Sequence, residues 1–419
     1  MKARTFFVLT VLTACGLSTS AREGTEPQWS GSASAAFGAS FDADGYDESA
    51  TFKNSLVFEA GGGSSPYFRA EGGFSYRYGA ASDLALAFDA GIAAAPDPQA
   101  IPPGTDLHGG LYVDQAYASA GAGAAWFRFG IVPTGSGAAW LYNPTSRIGA
   151  VALDRDPSAG GPGAPGLTAS VSLPAGLSLE AGAYAAPRNA NPVPDLGELN
   201  ADGFPLSLRL QYRGSVADFS AAAVRERLSA DSGARWWFGA DAGFDALGAS
   251  WYAEGAASAA RVGEPRPEWS TALSPNGAVA ETSCGLMYAL PLWNAELRAE
   301  YLWFSAGAGK SEEYDASKLL SGSLPLLARS YLFASVEVTD QAASRWSLMG
   351  GALGNIADGS VAFLGEARFT VVDDFEVRLE GAYCGGRPGG EFNAPLSLGP
   401  GIEVRPWRTS LSLGMEVWF

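Results

Sequence analysis

Apolar and polar residues alternate along most of the chain in segments of about ten residues. Residues 296–303 read ELRAEYLW, and residues 363–369 and 375–383 repeat the pattern with their own glutamates and arginines. Successive side chains of a β-strand point to opposite faces, so a period of two indicates a strand. Each segment therefore predicts a strand with one apolar and one polar face.

The connections between these segments fall into two classes. Short turns are predicted near Gly214, Gly248, Trp293, Asp340 and Asp374, and they alternate with longer links at 187–202, 261–277, 306–325 and 385–395. Tight turns on one rim and long loops on the other are typical of a membrane barrel. We predict an all-β fold, a transmembrane antiparallel up-and-down β-barrel of about 18 strands, within a range of 16 to 20.

The number of strands is ambiguous in the sequence by one or two. A literal count is nineteen, or twenty if residues 84–92 form a strand, whereas single-chain bacterial barrels have an even number. The misassigned segment lies near residues 79–95 or in 395–406. A further break is predicted where the acidic run DADGYDES, residues 42–49, interrupts the first alternating segment.

The composition favours a barrel over a soluble β-sandwich, the strongest alternative. Hydrophobic residues make up 47% of the chain and charged residues only 17%, against about 25% in typical soluble domains. The mean hydropathy is +0.04. A membrane strand needs only about 9–11 residues, half of them facing lipid, so a barrel can span a bilayer with near-neutral hydropathy.

The amino terminus has the features of an export signal. Lys2 and Arg4 precede an apolar stretch at 6–14, and cleavage after Ala21 would remove residues 1–21. Alternatively, LTAC resembles the box cut before a lipidated cysteine, which would remove residues 1–14 and acylate Cys15. With either processing route, the barrel is predicted to occupy residues 22–419.

The last strand resembles the assembly signal of outer-membrane β-barrel proteins. That signal has a polar residue, a glycine, an apolar residue and a final aromatic, occupied here by Ser412, Gly414, Val417 and Phe419. The resemblance implies insertion by the barrel assembly machinery, contact with outer-membrane lipid, and location in the outer membrane of a diderm bacterium.

Residues 113–147 resemble a segment of a family of large Gram-negative outer-membrane porins. In that family a strand containing Ala-Tyr precedes an arginine-and-glycine strand, a glycine loop and Asn-Pro. The family usually has a polar or basic residue and a tryptophan where this chain has Ile131 and Thr134, so substrate contacts do not carry over. The matching residues here are Ala116, Tyr117, Arg128, Gly130, Gly135, Asn143 and Pro144.

Charged residues on the polar faces are predicted to line the pore. An arginine facing lipid at mid-bilayer costs about 2–4 kcal/mol, so these side chains should point into water. Together they either produce a transverse electric field across the pore, which would select solutes by charge, or only keep the wall in contact with water. Asp114 is expected to meet Arg128 across the turn between their strands. The predicted pore-lining residues are Arg69, Glu71, Asp114, Arg128, Glu296, Arg298, Glu300, Glu366, Arg368, Glu376, Arg378 and Glu380.

The glycine-rich segment 130–144 is a candidate constriction loop. It follows a strand and precedes a long excursion, so it can fold inward, with Gly135 in the loop and Trp140 and Tyr142 in contact with a sugar or an aromatic solute. Alternatively, Trp140 and Tyr142 lie in the interfacial aromatic belt.

Several other functions are disfavoured by the composition. The net charge of −17 argues against nucleic-acid binding, and one histidine, His108, does not make a metal site. Ser136 in TGSG has no evident base, so we predict no enzyme and no cofactor. Cys284 and Cys384 are the cysteines outside the signal, and their pairing stays open.

We therefore predict a porin that allows passive diffusion of small polar solutes, because a barrel of sixteen or more strands has room for an aqueous channel. The acidic excess predicts a mild preference for cations or neutral solutes. The alternative is a surface adhesin or scaffold whose barrel is an anchor and whose long loops bind a partner. Homo-oligomer formation stays open.

Overall fold

The computed structural model describes most of the chain from residue 28 onward. The residues that it describes are 28–42, 45–60, 67–79, 108–134, 137–148, 163–185, 204–226, 235–258, 279–291, 294–315, 318, 324–340, 345–393, 396–399, 402–404 and 409–418. The predicted export signal, with Cys15 and Ala21, lies outside them.

Eighteen strands form one closed antiparallel barrel, as predicted. Each strand pairs with its neighbours along the chain, and β20 closes the barrel by pairing with both β17 and β1. The barrel strands are β1 (Gln28–Asp42), β2 (Gly45–Ala60), β3 (Tyr67–Gly79), β4 (His108–Ala122), β5 (Ala125–Val132), β6 (Ala164–Ser172), β7 (Leu177–Tyr184), β8 (Leu206–Arg213), β9 (Ala217–Glu226), β10 (Arg235–Ala246), β11 (Ala249–Ser258), β12 (Val279–Leu290), β13 (Ala295–Phe304), β14 (Ser330–Thr339), β15 (Trp346–Asn355), β16 (Val361–Val372), β17 (Phe375–Gly385) and β20 (Thr409–Trp418).

The two segments that made the strand count ambiguous do not add described strands to the barrel. β18 (Leu396–Gly399) and β19 (Ile402–Val404), the described part of 395–406, pair with each other in a separate two-stranded sheet, so neither is a barrel strand. β3 pairs directly with β4, and residues 84–92 lie outside the described part.

The predicted break at residues 42–49 is present but shorter than the acidic run, since β1 ends at Asp42 and β2 begins at Gly45. β1 and β2 continue their pairing as far as Asp42 opposite Gly45, which leaves only residues 43–44 between them. A ladder of backbone hydrogen bonds does not require apolar side chains, so the rest of the acidic run, residues 45–49, belongs to β2.

The two rims of the barrel differ as predicted. One rim, the turn rim, carries the short turns, including those near Gly214, Gly248, Asp340 and Asp374, and β1 begins and β20 ends there. The other, the link rim, carries the longer connections, among them 133–163, 185–205, 259–278, 305–329 and 386–408.

The outward face of the barrel is apolar around its circumference. Phe129 is 72% exposed and Phe238 is 61% exposed. Soluble monomers rarely expose contiguous apolar patches beyond a few hundred Å². Other exposed side chains on this face are Leu56, Leu167, Leu179, Leu208, Leu210, Leu297, Leu332, Leu348, Leu379, Leu411 and Leu413.

Aromatic side chains concentrate on this outer face near both rims. Near the link rim, Trp236 and Phe238 stack with their ring centroids 6.3 Å apart. Near the turn rim, Tyr212 and Phe219 stack at 6.4 Å. Others near the turn rim are Trp29, Phe58, Phe244, Tyr288, Trp346 and Phe369, and near the link rim Phe363 and Tyr383. Two aromatic girdles flanking an apolar band are typical of membrane barrels.

The barrel interior contains a packed cluster made by chain segments from the link rim. Leu141 and Tyr142 come from the β5–β6 connection, and Leu324 and Leu326 from the β13–β14 connection. They pack with interior side chains of the strands, namely Trp237, Leu302, Phe304, Tyr331, Phe333, Leu353 and Ala362.

The two cysteines do not pair with each other. Cys284 is exposed on the apolar outer face of β12. Cys384 packs beside the interior cluster from β17. The barrel wall therefore separates them. Among the described residues, no helix has the length and apolar character needed to span a membrane.

Candidate functional site

Residues 137–148, here called the inner segment, lie inside the barrel. They belong to the connection between β5 and β6, and they contact interior side chains of β8 and β10–β14. Most of the segment is buried, including Ala139, Leu141, Tyr142, Thr145, Arg147 and Ile148. The prediction that this loop folds inward therefore agrees with the position of these residues, whereas Gly135 lies outside the described part.

Glu300 of β13 holds the middle of the inner segment by its backbone. Its carboxylate accepts hydrogen bonds from the amides of Trp140 at 3.0 Å, Leu141 at 3.0 Å and Tyr142 at 3.2 Å. The hydroxyls of Ser283 and Tyr252 donate to the same carboxylate. An irregular backbone inside a barrel needs acceptors for its N–H groups, and one ionised carboxylate has about four lone-pair sites.

Glu254 of β11 holds both ends of the same turn. Its Oε2 accepts the amide of Ala138 at 2.8 Å, and its Oε1 accepts the amide and the hydroxyl of Thr145, each at 2.7 Å. The two carboxylates together satisfy consecutive donors that have no sheet partner, so they determine the path of the inner segment across the barrel interior.

Arg147 anchors the carboxyl-terminal part of the inner segment. Its side chain is 2% exposed, forms an ion pair with Glu281, and lies 4.0 Å from Glu226. Its guanidinium lies over the ring of Trp237, 3.6 Å from the centroid. The indole of Trp237 donates to Glu226 at 2.6 Å, and the hydroxyl of Tyr142 donates to Glu281 at 2.5 Å. Both buried carboxylates thus have partners.

The aromatic side chains of the inner segment are used in packing. Trp140 stacks on Phe333 at 5.1 Å, and the guanidinium of Arg298 lies 4.9 Å from its ring centroid. Tyr142 packs edge-on against Phe304. The alternative that Trp140 and Tyr142 lie in the outer aromatic belt is therefore wrong, and the 3% exposure of Tyr142 leaves little of its ring for a solute.

Gly137 begins the inner segment in a conformation that a side chain would disturb. Its φ is +136°, and a Cβ there would overlap Asn143 Oδ1 and Glu254 Oε2. We expect Gly137→Ala to displace the carboxylate that holds Ala138 and Thr145, which should weaken attachment of the segment and increase hydrogen exchange of those amides.

Gly123→Ala is the matched control for this substitution. Gly123, in the β4–β5 turn, also has a positive φ, +60°, but nothing lies within 4 Å of its Cβ position. It should cost only the backbone strain of about 1–2 kcal/mol and leave the inner-segment amides protected. Equal exchange rates in the two variants would contradict this account of Gly137.

A second set of predicted residues forms a charged ladder on β16 and β17. Arg378 lies 3.3 Å from Glu380, 3.7 Å from Glu366 and 3.9 Å from Glu376, and Arg368 pairs with Glu366. The register sets Glu366 opposite Glu380 and Arg368 opposite Arg378. Like charges directly opposite are unfavourable, and the pairs along and across the strands offset this. All five side chains are partly exposed within the barrel.

The three charged residues predicted to line the pore from β13 differ in their exposure to water. Arg298 pairs with Glu296 and lies 3.2 Å from Glu337 of β14, and these side chains are partly exposed. Glu300 is 1% exposed beneath the inner segment. Its assignment as a water-facing pore residue is therefore wrong, because backbone amides have replaced water around its carboxylate.

The predicted contact between Asp114 and Arg128 is also wrong. The residue opposite Arg128 is Ser119, and Asp114 falls at a register shift between β3 and β4. The turn at 123–124 pairs Ala122 with Ala125, and the register that follows from this pair places Asp114 far along β4 from the partner of Arg128. On β3, Arg69 pairs with Glu59 at 2.5 Å, and Glu71 lies opposite Tyr117 in the register.

The terminal-signal residues occupy the closing strand. Ser412, Gly414 and Val417 lie in β20, with Ser412 opposite Glu380 and Gly414 opposite Arg378, and Phe419 lies outside the described residues. Their recognition by an assembly machinery stays a prediction. His108 is the first residue of β4, and Ser136 lies outside the described part. In that part, no group of His, Cys, Asp and Glu is arranged to hold a metal ion.

Four residues of the site were missed from the sequence: Arg147, Glu226, Glu254 and Glu281. Three are glutamates on the polar faces of alternating strands, so they carried the same signal as the pore-lining candidates. Arg147 pairs with Glu281, which is 134 positions away in the chain, and no local sequence pattern contains such a contact.

Comparison with known proteins identifies the fold. No protein-family model and no curated protein matches the sequence. Solved structures do match: OccAB2 of Acinetobacter baumannii has a TM-score of 0.54 and 11% identity, over 95% of this chain and 99% of that one. OccD3 (OpdP) of Pseudomonas aeruginosa has a TM-score of 0.52 and 11% identity, over 94% and 91%. OpdK of Pseudomonas aeruginosa, solved with vanillate, has a TM-score of 0.52 and 11% identity, over 94% and 98%. At this identity the likeness concerns the fold, and the chain shares it over nearly its whole length.

Proposed function

We propose that the protein is an outer-membrane channel for passive diffusion of small polar solutes. The observation that carries the proposal is a charged interior wall that water reaches: Glu380 is 38% exposed and Arg368 is 32% exposed within the closed barrel. The inner segment attaches to β8 and β10–β14, and the ladder lies beyond it on β16 and β17. Solutes would pass between the two.

The outer face supports location in a bilayer. Its apolar band and two aromatic girdles match a barrel surrounded by outer-membrane lipid. The fold shared with outer-membrane channels agrees with this location in a diderm bacterium. The export signal at residues 1–21 and recognition of β20 by the barrel assembly machinery complete the proposal.

The partly exposed interior charges favour a mild preference for cations or neutral solutes. Glu226, Glu254, Glu281 and Glu300 are buried and contact the inner segment or its anchors, so they contribute little to the water-facing wall. Among the remaining described positions acidic residues still exceed basic ones. On the interior faces of strands whose side chains the structure describes, the acidic residues are Glu59, Glu180, Asp218, Asp241, Asp245, Glu296, Glu337, Glu366, Glu376, Glu380 and Glu416, and the basic residues are Arg69, Arg128, Arg209, Arg213, Arg235, Arg298, Arg368 and Arg378.

Planar bilayers test the proposal directly. The purified chain should give steady ohmic conductance steps, and a salt gradient should give a small reversal potential of the sign expected for cation preference. Glu380→Gln should reduce that potential, because it removes one partly exposed acidic charge. Absence of steps would favour the barrel as an anchor for binding loops, and clear anion selectivity would contradict the cation preference.

A further inference from the structure

Glu391 joins three connections of the link rim at one buried point. It lies in the connection after β17 and is 5% exposed. Its Oε1 accepts the amide of Leu327, from the β13–β14 connection, at 2.7 Å. Its Oε2 accepts Asn355 Nδ2 at 2.8 Å and the hydroxyl of Tyr331.

Asp358 completes the junction from the β15–β16 turn. Its Oδ2 accepts the amide of Glu391 at 2.8 Å and the hydroxyl of Tyr314, from the β13–β14 connection, at 2.5 Å. Asn355 Nδ2 also lies 3.1 Å from Asp358 Oδ2. Tyr314, Leu327, Tyr331, Asn355, Asp358 and Glu391 are here called the Glu391 cluster.

The cluster has no compensating cation among the described residues. The titratable groups that face Glu391 are Asp358 from the β15–β16 turn, Tyr331 from β14 and Tyr314 from the β13–β14 connection. Each of these side chains carries a negative charge when it ionises, and none carries a positive charge. An ionised Glu391 would therefore be a buried carboxylate beside a second carboxylate, without a positive partner.

The cluster is connected to the inner segment by packing. Leu324, Leu326 and Ala328 flank the Leu327 amide and belong to the same apolar cluster as Leu141 and Tyr142. Phe392, next to Glu391, packs against Tyr331 with centroids 6.5 Å apart. Releasing Glu391 would loosen this packing against the inner segment.

We propose that Glu391 is a proton-controlled latch. In its neutral form it holds Tyr314 and Leu327 of the β13–β14 connection, the β15–β16 turn at 356–360 and residues 386–393 together, and in its ionised form it releases them. Only the effect on conductance rests on the proposed channel function; the latch itself is a property of the fold.

The direction of the pH dependence follows from the environment of the carboxyl group. Burial raises the pKa of Glu391 to about 7, and Asp358 acts in the same direction, against the hydrogen bonds from Leu327 and Tyr331. Burial also acts to raise the pKa of Asp358, but its hydrogen bonds outweigh this and keep the pKa below the usual value. Asp358 thus stays ionised near neutral pH.

The docked state therefore binds the proton more tightly than a released, hydrated glutamate. Its stability is fully present below the ordinary glutamate pKa and is lost as pH rises through about 7. The difference between the pKa of docked Glu391 and that of an exposed glutamate lowers the ratio of docked to released protein on the order of 100-fold between pH 5 and pH 8. Conductance, or the frequency of opening, should rise over the same range.

Hydrogen exchange of the full-length protein in lipid vesicles tests the latch without assuming a channel. After correction for intrinsic exchange, protection of the Leu327 amide should fall by up to that factor from pH 5 to pH 8. Glu391→Gln should make the protection independent of pH, since its amide stays neutral, and Asp358→Asn should move the midpoint to lower pH. Glu380→Gln, the same change on the ladder, should keep the wild-type pH dependence of Leu327 exchange, whatever its effect on the reversal potential.

Two results would overturn the proposal. One is protection of Leu327 that does not depend on pH in the wild type; the other is the same pH dependence in Glu391→Gln as in the wild type. Conductance recorded on the same variants separates the two ideas: a pH-dependent Leu327 amide in a barrel that conducts nothing would uphold the latch and reject the channel.

Discussion

Replacing Glu300 with alanine should detach the inner segment from β13 and raise single-channel conductance. The substitution leaves the amides of Trp140, Leu141 and Tyr142 without their acceptor. A buried donor left unpaired costs about 1–3 kcal/mol, and each 1.4 kcal/mol is a factor of ten in an equilibrium. The ratio of attached to released segment should fall at least about 100-fold, which hydrogen exchange of the three amides would measure.

Glu380→Ala is the control for this experiment. It removes the same charge from another interior position, but the Glu380 side chain pairs with Arg378 on the ladder. We expect it to alter the reversal potential and to leave exchange of the Trp140–Tyr142 amides unchanged. Unaltered conductance and exchange in Glu300→Ala would show that Glu300 does not hold the segment.

Replacing Arg147 with methionine should lower the free energy of unfolding by about 3–5 kcal/mol, the usual effect of removing one partner of a buried ion pair. Methionine keeps part of the packing on Trp237 but leaves the buried carboxylates of Glu281 and Glu226 without their cation. Urea titration of the protein in lipid vesicles would measure the loss.

Two further variants separate charge from packing at this site. Glu281→Gln combined with Arg147→Met should recover part of the stability, because it removes the uncompensated charge. Arg368→Met, at a partly exposed arginine of the ladder, should cost about 1 kcal/mol or less. If the double variant were as unstable as Arg147→Met alone, the charge argument would fail.

The fold was open to prediction because its signals are local. Alternation with a period of two, short turns between alternating segments and a polar face on each strand are all read within ten residues. Glu296, Arg298 and Glu300 were accordingly placed on the interior face of one strand, where the structure has them. Local reading overestimated the length of the break at 42–49 and wrongly paired Asp114 with Arg128, because backbone pairing across each turn, and not side-chain pattern, sets the register.

The candidate site could be predicted only in part. The glycine-rich stretch before Asn143 indicated a loop able to fold inward, and the described residues do so. Its attachment could not be predicted, since Glu254, Glu281 and Arg147 resemble ordinary polar residues until the chain is folded. The same holds for Glu391, whose environment is built from three separate connections.

The sequence by itself determined a closed barrel with an apolar exterior and a charged interior, because neighbouring residues on a strand necessarily face opposite sides of it. The tertiary structure alone decided which interior charges meet water and which are buried. Trp140 and Glu300 are 160 positions apart, and a carboxylate becomes an acceptor for backbone amides only when folding brings such distant residues together and excludes water between them.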